Sequence, residues 1–152
     1  MVYVKFSYHQ LLLAAAFTNS ALSRAEISGT LAHMNVILFG ATGMVGQGVL
    51  RECLLAPDVE SVLTIGRSAT GQHHAKLREI VHADLTNYAA IESDLAGHDA
   101  CFFCLGVSAA GMFEQAYTRV TYDVTLAAAQ VLARLSPAMT FIYVSGEGTD
   151  ST

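Results

Sequence analysis

The chain has 152 residues, of which 53% are hydrophobic and only 14% are charged. This length suits one domain with a single core, and the apolar composition favours elements buried on both faces. The net charge of −5, with only two lysines, argues against a nucleic-acid surface, and the longest early apolar run, Leu11–Phe17, is too short to span a bilayer.

Residues 1–33 contain a lysine, a short apolar stretch and small residues, which is a weak form of the secretory signal pattern. The apolar part of that pattern is minimal, and no set of cysteines suited to disulfides follows it. We therefore expect residues 1–33 to be an appended or mis-started extension, mobile or loosely helical, outside a dinucleotide-binding domain at 34–152. Met34 would then be the functional start, and the expected location is cytoplasmic.

From Asn35 onward, short apolar runs alternate with helical patterns. Strands alternating with helices predict an α/β fold with a parallel sheet and right-handed crossovers. The predicted strands are Asn35–Phe39, Ser61–Gly66, Arg78–Ala83, Asp99–Gly106 and Thr140–Ser145.

Three helices are predicted between these strands. The first begins at Met44, where residues 45, 49 and 53 are apolar and spaced by four. The second covers Tyr88–Gly97 and is closed by its glycine, and the third is long, covering Met112–Ser136. The polar segment Ser68–Leu77, between the second and third strands, is expected to be mostly loop.

Three regularly spaced glycines, Gly40, Gly43 and Gly46, follow the first strand and open the first helix. Such spacing alone is a weak signal, but this is the position where a phosphate-binding turn must lie. Gly40 would turn tightly, Gly43 would let the backbone approach a pyrophosphate, and Gly46 would let the helix pack on the strand. Free N–H groups and the positive end of the helix would attract the phosphates. The sequence therefore predicts dinucleotide binding.

The end of the second strand indicates which dinucleotide binds. An acidic residue there binds the 2′-hydroxyl of the adenosine ribose, whereas an arginine accommodates a 2′-phosphate. Arg67 and Ser68 directly follow this strand, whereas the acidic residue Glu60 precedes it and lies at its opposite end. The pattern favours NADP(H) over NAD, although an ordinary solvated loop arginine would look the same.

Cys101 and Cys104 form a lone C-x-x-C, which is compatible with a redox pair or half of a zinc site. The flanking residues are typical of a buried strand, where positions i and i+3 point to opposite faces. No second Cys/His pair supplies the other ligands, so no metal site is predicted.

The segments "FGATGMVGQGVL", "LTIGRS", "HADLTN", "CFFCLG" and "FIYVSGEG" resemble, in order and spacing, those of the short-chain dehydrogenase/reductase superfamily. The glycine pattern is similar to its extended and atypical members, which include NAD(P)-dependent sugar epimerases, NmrA-like regulators and the Tat-interacting-protein-like group. The resemblance implies a doubly wound Rossmann sheet with strand order 3-2-1-4-5, lacking the C-terminal part of the family fold.

The resemblance also implies roles for individual residues. The catalytic serine of the family matches Ser145, although a strand-end serine that caps a loop is the alternative. The implied cofactor contacts fall into four groups: the pyrophosphate turn (Gly40, Thr42, Gly43, Met44, Val45, Gly46), the 2′-phosphate contacts (Arg67, Ser68), the adenine pair (Asp84, Leu85), and the loop that passes the ribose near the nicotinamide (Cys104, Leu105, Gly106).

The chain departs from the family in lacking the Tyr-x-x-x-Lys pair that transfers the proton. We expect the NADP(H)-binding part of an oxidoreductase or epimerase-like protein, inactive as this truncated chain. The alternative is a non-catalytic module that senses NADP(H). The substrate is not encoded in these residues, and truncation predicts an unpaired edge on the fifth strand that would favour self-association.

Overall fold

The structure is a computed structural model that describes residues 2–7, 33–106 and 122–145. Its six strands are β1 (Val2–Ser7), β2 (Met34–Phe39), β3 (Val59–Gly66), β4 (Leu77–Val81), β5 (Ala100–Phe103) and β6 (Thr140–Ser145). Its helices are α1 (Met44–Leu55), α2 (Glu92–Leu95), which follows a 3₁₀ turn at Ala89–Ile91, and α3 (Val124–Leu135).

All six strands form one parallel sheet in the order β1-β6-β5-β2-β3-β4. If β1 is left out and β2–β6 are renumbered 1–5 in chain order, the five strands lie in the order 3-2-1-4-5. This confirms the predicted doubly wound α/β sheet. The chain runs from β2 outward through β3 to β4, and then returns to β5 on the other side of β2.

The N-terminal strand β1 corrects one expectation. An unpaired edge was predicted on β6, but β1 pairs with that edge along its whole length, from Val2 opposite Thr140 to Ser7 opposite Ser145. The physical reason is that an open edge presents unpaired backbone groups, which an extended segment of the same chain can satisfy. Self-association stays a prediction but loses this edge as its basis. Val2–Ser7 were also expected to be mobile or loosely helical and outside the domain, but they form a strand of its sheet. Residues 8–32 lie outside the described residues, so for them the proposed extension stays a prediction.

The core has two layers because both faces of the sheet are covered. Alternate residues of β2 point to opposite sides: Ile37 and Phe39 pack with α3, whereas Val36 and Leu38 pack with α1. Residues 36–39 are all buried. This explains why the strand is a continuous apolar run rather than an alternating one.

The predicted helix at Tyr88–Gly97 is shorter than expected. It consists of the 3₁₀ turn and the four residues of α2, and Gly97 ends it with a φ of +78° as anticipated. The start is delayed because the Asn87 side chain accepts a hydrogen bond from the Ala89 backbone N–H (3.0 Å), which offers the backbone an alternative to the helix.

The long third helix is confirmed where it is described, over Val124–Leu135, and residues 107–121 lie outside the described residues. The segment after β3 forms no helix, as predicted. Within the described ranges, no helix is both long and apolar enough to cross a membrane.

Candidate functional site

The predicted site residues follow the strands at one edge of the sheet. Phe39 of β2 lies opposite Ile65 of β3 and Phe103 of β5, and Phe103 lies opposite Tyr143 of β6. Each of these residues is within two positions of the predicted contacts that follow it. At about 3.3 Å per residue, the glycine turn, Arg67, Leu105 and Ser145 therefore come to the same edge.

This edge contains the point where the strand order reverses. The connection from β2 leads to β3 on one side, whereas β5 lies on the other side of β2. Open α/β sheets bind ligands in the crevice outside the carboxyl ends of the strands at such a point. At this point the turn after β2 packs against the backbone of Cys104 and Leu105, which follow β5.

The glycine turn is packed so tightly that backbone contacts within the protein leave no room for a Cβ at two of its glycines. Gly40 has a φ of +79°, and a Cβ there would lie 2.8 Å from the Cys104 carbonyl carbon. A Cβ on Gly46 would lie 1.9 Å from the Gly40 oxygen. The turn is closed by the Gly43 N–H, which donates to that same oxygen (3.0 Å).

Gly43 differs from these two because the protein barely constrains it. A Cβ there would come no closer than 3.4 Å to the Gly40 oxygen, at the edge of ordinary contact. Gly43 is exposed and is the N-cap of α1, with no side-chain cap and no acidic residue in the first turn. The space that its missing side chain leaves is open to an anion at the positive end of the helix.

Gln47 supports the turn and was missed from the sequence. Its side-chain amide donates to the Thr42 carbonyl oxygen (3.0 Å), so it holds the exposed part of the turn in place. Met44 is 78% exposed and Val45 is half-buried. An exposed glutamine one turn into a helix carries no distinctive sequence signal.

Arg67 and Ser68 directly follow β3 and are both exposed. Within residues 2–7, 33–106 and 122–145, the Arg67 guanidinium has no hydrogen-bond or ion-pair partner. This arginine is therefore available to an external anion. The turn is held at its base by the Gly66 carbonyl, which accepts from the His82 N–H (2.8 Å).

A second residue missed from the sequence, Glu79, lies beneath this turn. Its Oε2 accepts hydrogen bonds from Thr64 Oγ1 (3.2 Å) and the Thr70 N–H (2.8 Å). Burial raises the pKa of Glu79, but the hydrogen bonds from Thr70 and Thr64, together with the nearby His73, lower it by more. The pKa of Glu79 therefore lies below its ordinary value. The carboxylate is thus ionised at neutral pH.

The predicted adenine pair divides into an exposed and a buried member. Asp84 is exposed, and its Oδ1 accepts from the Thr86 N–H (3.0 Å) and hydroxyl (2.6 Å), which fixes a local turn. Leu85 is buried in the core beside Phe39 and Tyr88. In this arrangement, only the backbone of Leu85 is available to a ligand.

The two cysteines of the C-x-x-C lie on opposite faces of the sheet, as predicted. Cys101 is buried on the α3 side, whereas Cys104 packs on the α1 side. Burial, followed by the neighbouring Cys53, raises the pKa of Cys104 to about 12. Both geometry and the protonated thiol argue against metal binding or redox chemistry by this pair.

The loop after β5 also contacts the glycine turn. The Cys104 N–H donates to the Phe39 oxygen (3.0 Å) and extends the pairing of β2 and β5. Leu105 is half-buried and Gly106 is exposed. Ser145 ends β6, two residues beyond Tyr143, at the same edge of the sheet.

Two concave surfaces are lined by residues other than the predicted cofactor contacts. One, of about 520 Å³, lies along the loop between β3 and β4 and is lined by His73, His74 and Glu79, among others. The other, of about 470 Å³, lies between Thr86–Ala89 and α3, beside the ion pair of Glu92 with Arg134. Neither contains a predicted cofactor residue. We place the site at the glycine turn because strand register and glycine packing converge there.

Comparison with known proteins identifies the family of the chain. The NAD(P)H-binding family model matches residues 40–151. The mitochondrial protein fmp52 of Emericella nidulans is 34% identical over 123 residues, covering 76% of this chain and 52% of the relative. The fmp52 protein of Aspergillus clavatus is 33% identical over 125 residues, covering 78% and 53%. The chain thus spans about half the length of the curated relatives it matches.

Solved structures share the fold. Uronate dehydrogenase from Agrobacterium tumefaciens superposes with a TM-score of 0.60 at 24% identity, over 75% of this chain and 41% of that one. A dTDP-glucose 4,6-dehydratase from Streptomyces venezuelae, solved with NAD bound, gives 0.60 at 18% identity over 70% and 38%. At these identities the likeness shows the Rossmann fold alone.

The comparisons correct the expected location. A cytoplasmic protein was predicted from the sequence. Three curated relatives, the two above and one from Aspergillus fumigatus, are named as mitochondrial proteins. The cytoplasmic prediction is therefore wrong.

Proposed function

The chain belongs to the NAD(P)H-binding family, and from this premise we propose that it binds NADP(H) in preference to NAD(H). The pyrophosphate would lie over Gly43, at the start of α1. The 2′-phosphate would bind Arg67 and Ser68, and the adenine would lie near Asp84. The nicotinamide end would extend toward Cys104–Gly106 and Ser145. We also propose that the protein acts in mitochondria, as its relatives' names suggest.

One observation supports the preference for NADP(H): the exposed guanidinium of Arg67 follows β3, at the position where a carboxylate would select NAD. Glu60, on the same strand, lies near its amino end, seven residues before Arg67. A guanidinium binds phosphate oxygens through a planar fork of donors. A carboxylate in its place would repel a 2′-phosphate and accept from the ribose hydroxyl instead.

The proposed lineage is an atypical dehydrogenase/reductase or epimerase-like oxidoreductase, in which Ser145 would bind a substrate carbonyl or hydroxyl. A second candidate, a module that binds NADP(H) without turnover, is favoured by the position of Lys76. Its Nζ donates to the Ala56 carbonyl oxygen (2.6 Å), at the end of α1 remote from the glycine turn. Lys76 therefore cannot assist a proton-donating tyrosine beside Ser145.

Thermal unfolding with each cofactor tests the binding preference. A ligand at 100 times its Kd stabilises the folded state by about 2.7 kcal/mol, which raises the Tm of a domain of this size by roughly 5–10 °C. We expect that shift with NADPH at a concentration where NADH gives a clearly smaller one. Equal shifts, or a larger shift with NADH, would contradict the preference.

An assay of NADPH oxidation with carbonyl compounds distinguishes the two candidate functions. For this 152-residue chain we expect binding without turnover. Turnover that follows the protein through purification would instead show that a proton donor is present.

A further inference from the structure

We propose that Glu79 is a positioning residue for cofactor selectivity: it fixes the turn that presents Arg67 and Ser68 to the 2′-phosphate. This inference rests on the proposed preference for NADP(H) and extends it to a residue that would not touch the cofactor.

The geometry places both ends of the turn on a single atom. Glu79 Oε2 accepts from Thr64 Oγ1 (3.2 Å) and from the Thr70 N–H (2.8 Å). Thr64 lies three residues before Arg67, and Thr70 lies three residues after it. One carboxylate oxygen therefore closes the segment that has Arg67 at its centre.

The first end of this segment is rigid. Thr64 is 3% exposed and lies within β3, directly opposite Glu79 in the register of β3 and β4. Because both residues belong to paired strands, the carboxylate has a fixed position relative to the sheet. The bond to the Thr70 N–H transfers that fixed position to the loop.

Among the described residues, the turn around Arg67 has little support besides Glu79. The segment after β3 forms no helix, so helical packing does not hold it. The Gly66 oxygen bonds to the His82 N–H (2.8 Å), which holds only the base of the turn. Arg67 is exposed and has no partner among the described residues, so the position of its backbone determines where its side chain can reach.

If Glu79 positions the Arg67 turn, its loss should reduce the selectivity for NADPH over NADH without abolishing the binding of both cofactors. NADH lacks the 2′-phosphate and depends on the glycine turn, which is separate from Glu79. Loosening the Arg67 turn should therefore weaken NADPH far more than NADH, because preorganisation lowers the ordering cost of binding. The Glu79→Gln variant retains an oxygen acceptor and should keep the preference for NADPH.

The test measures Kd for NADPH and NADH in Glu79→Ala, Glu79→Gln and a matched control, Glu60→Ala, which removes an exposed glutamate from β3. We expect Glu79→Ala to reduce the preference for NADPH, measured as the ratio of the two Kd values, about five- to tenfold. Glu79→Gln and Glu60→Ala should change this ratio by less than about twofold. The ratio of the two Kd values compares cofactors on the same folded molecules. An equal weakening of both, or an unchanged ratio, would overturn the role of Glu79.

A double-mutant cycle shows whether Glu79 acts through Arg67. In an Arg67→Ala background, Glu79→Ala should cause no further change in the Kd ratio, since the group it positions is absent. Additive effects would show an independent action and overturn the inference. If Arg67→Ala alone leaves the ratio unchanged, the proposed 2′-phosphate site itself fails, which is a distinct outcome from failure of Glu79 alone.

Discussion

Replacing Gly46 with alanine should destabilise the fold and abolish cofactor binding. The added Cβ would lie 1.9 Å from the Gly40 oxygen and 2.6 Å from its carbonyl carbon. Gly40 cannot retreat, because it is itself packed against the Cys104 backbone. The clash involves backbone atoms rather than a flexible side chain, so we expect a cost of about 3 kcal/mol, near the top of the usual range for overpacking.

Gly48→Ala is the matched control, two residues further along α1. Nothing lies within 4 Å of a Cβ at Gly48, which is exposed on the helix. Alanine there should stabilise the protein by about 0.5–1 kcal/mol. Chemical denaturation and NADPH titration of both variants measure the contrast. Similar stabilities for the two variants would refute the account of the turn.

The second large effect is expected from Arg67→Glu. The change removes a fork of donors and places a negative charge beside the 2′-phosphate, whereas the ribose hydroxyl of NADH gains an acceptor. Charge-assisted hydrogen bonds contribute about 1.5–3 kcal/mol. We therefore expect NADPH affinity to fall about 100-fold, with NADH affinity changing by less than about threefold.

Arg51→Glu controls for the change in net charge. Arg51 is exposed on α1, where it pairs with Glu52. Both cofactors should bind this variant much as they bind the unaltered protein. If Arg67→Glu weakens NADPH and NADH equally, the arginine does not read the 2′-phosphate.

The sheet was predictable from the sequence because its signals are local. A strand such as β2 is a continuous apolar run, since both of its faces are buried. The β1 strand was missed for the opposite reason. Its partner, β6, lies more than a hundred residues away in the chain, and nothing in Val2–Ser7 itself indicates which strand it joins.

In the candidate site, too, features with a local sequence signal were predictable, whereas contacts between residues of different strands were not. The roles of Gly40 and Gly46 follow from spacing between a strand and a helix, and their packing agrees with it. The contacts of Glu79 depend on the register of β3 and β4, which the sequence does not specify. Leu85 was predicted as an adenine contact, but it is also an apolar residue beside a core, and burial decides where its side chain lies.

The central claim is that NADPH lies across the carboxyl ends of the strands, from the Arg67 turn past the glycine turn to β5. Amide chemical shifts recorded during an NADPH titration test it directly. We predict saturable changes at Gly43, Arg67 and Leu105, with Met34, at the opposite end of β2, unaffected. Changes confined to the concave surfaces near His74 or α3, or no saturable change at all, would contradict the claim.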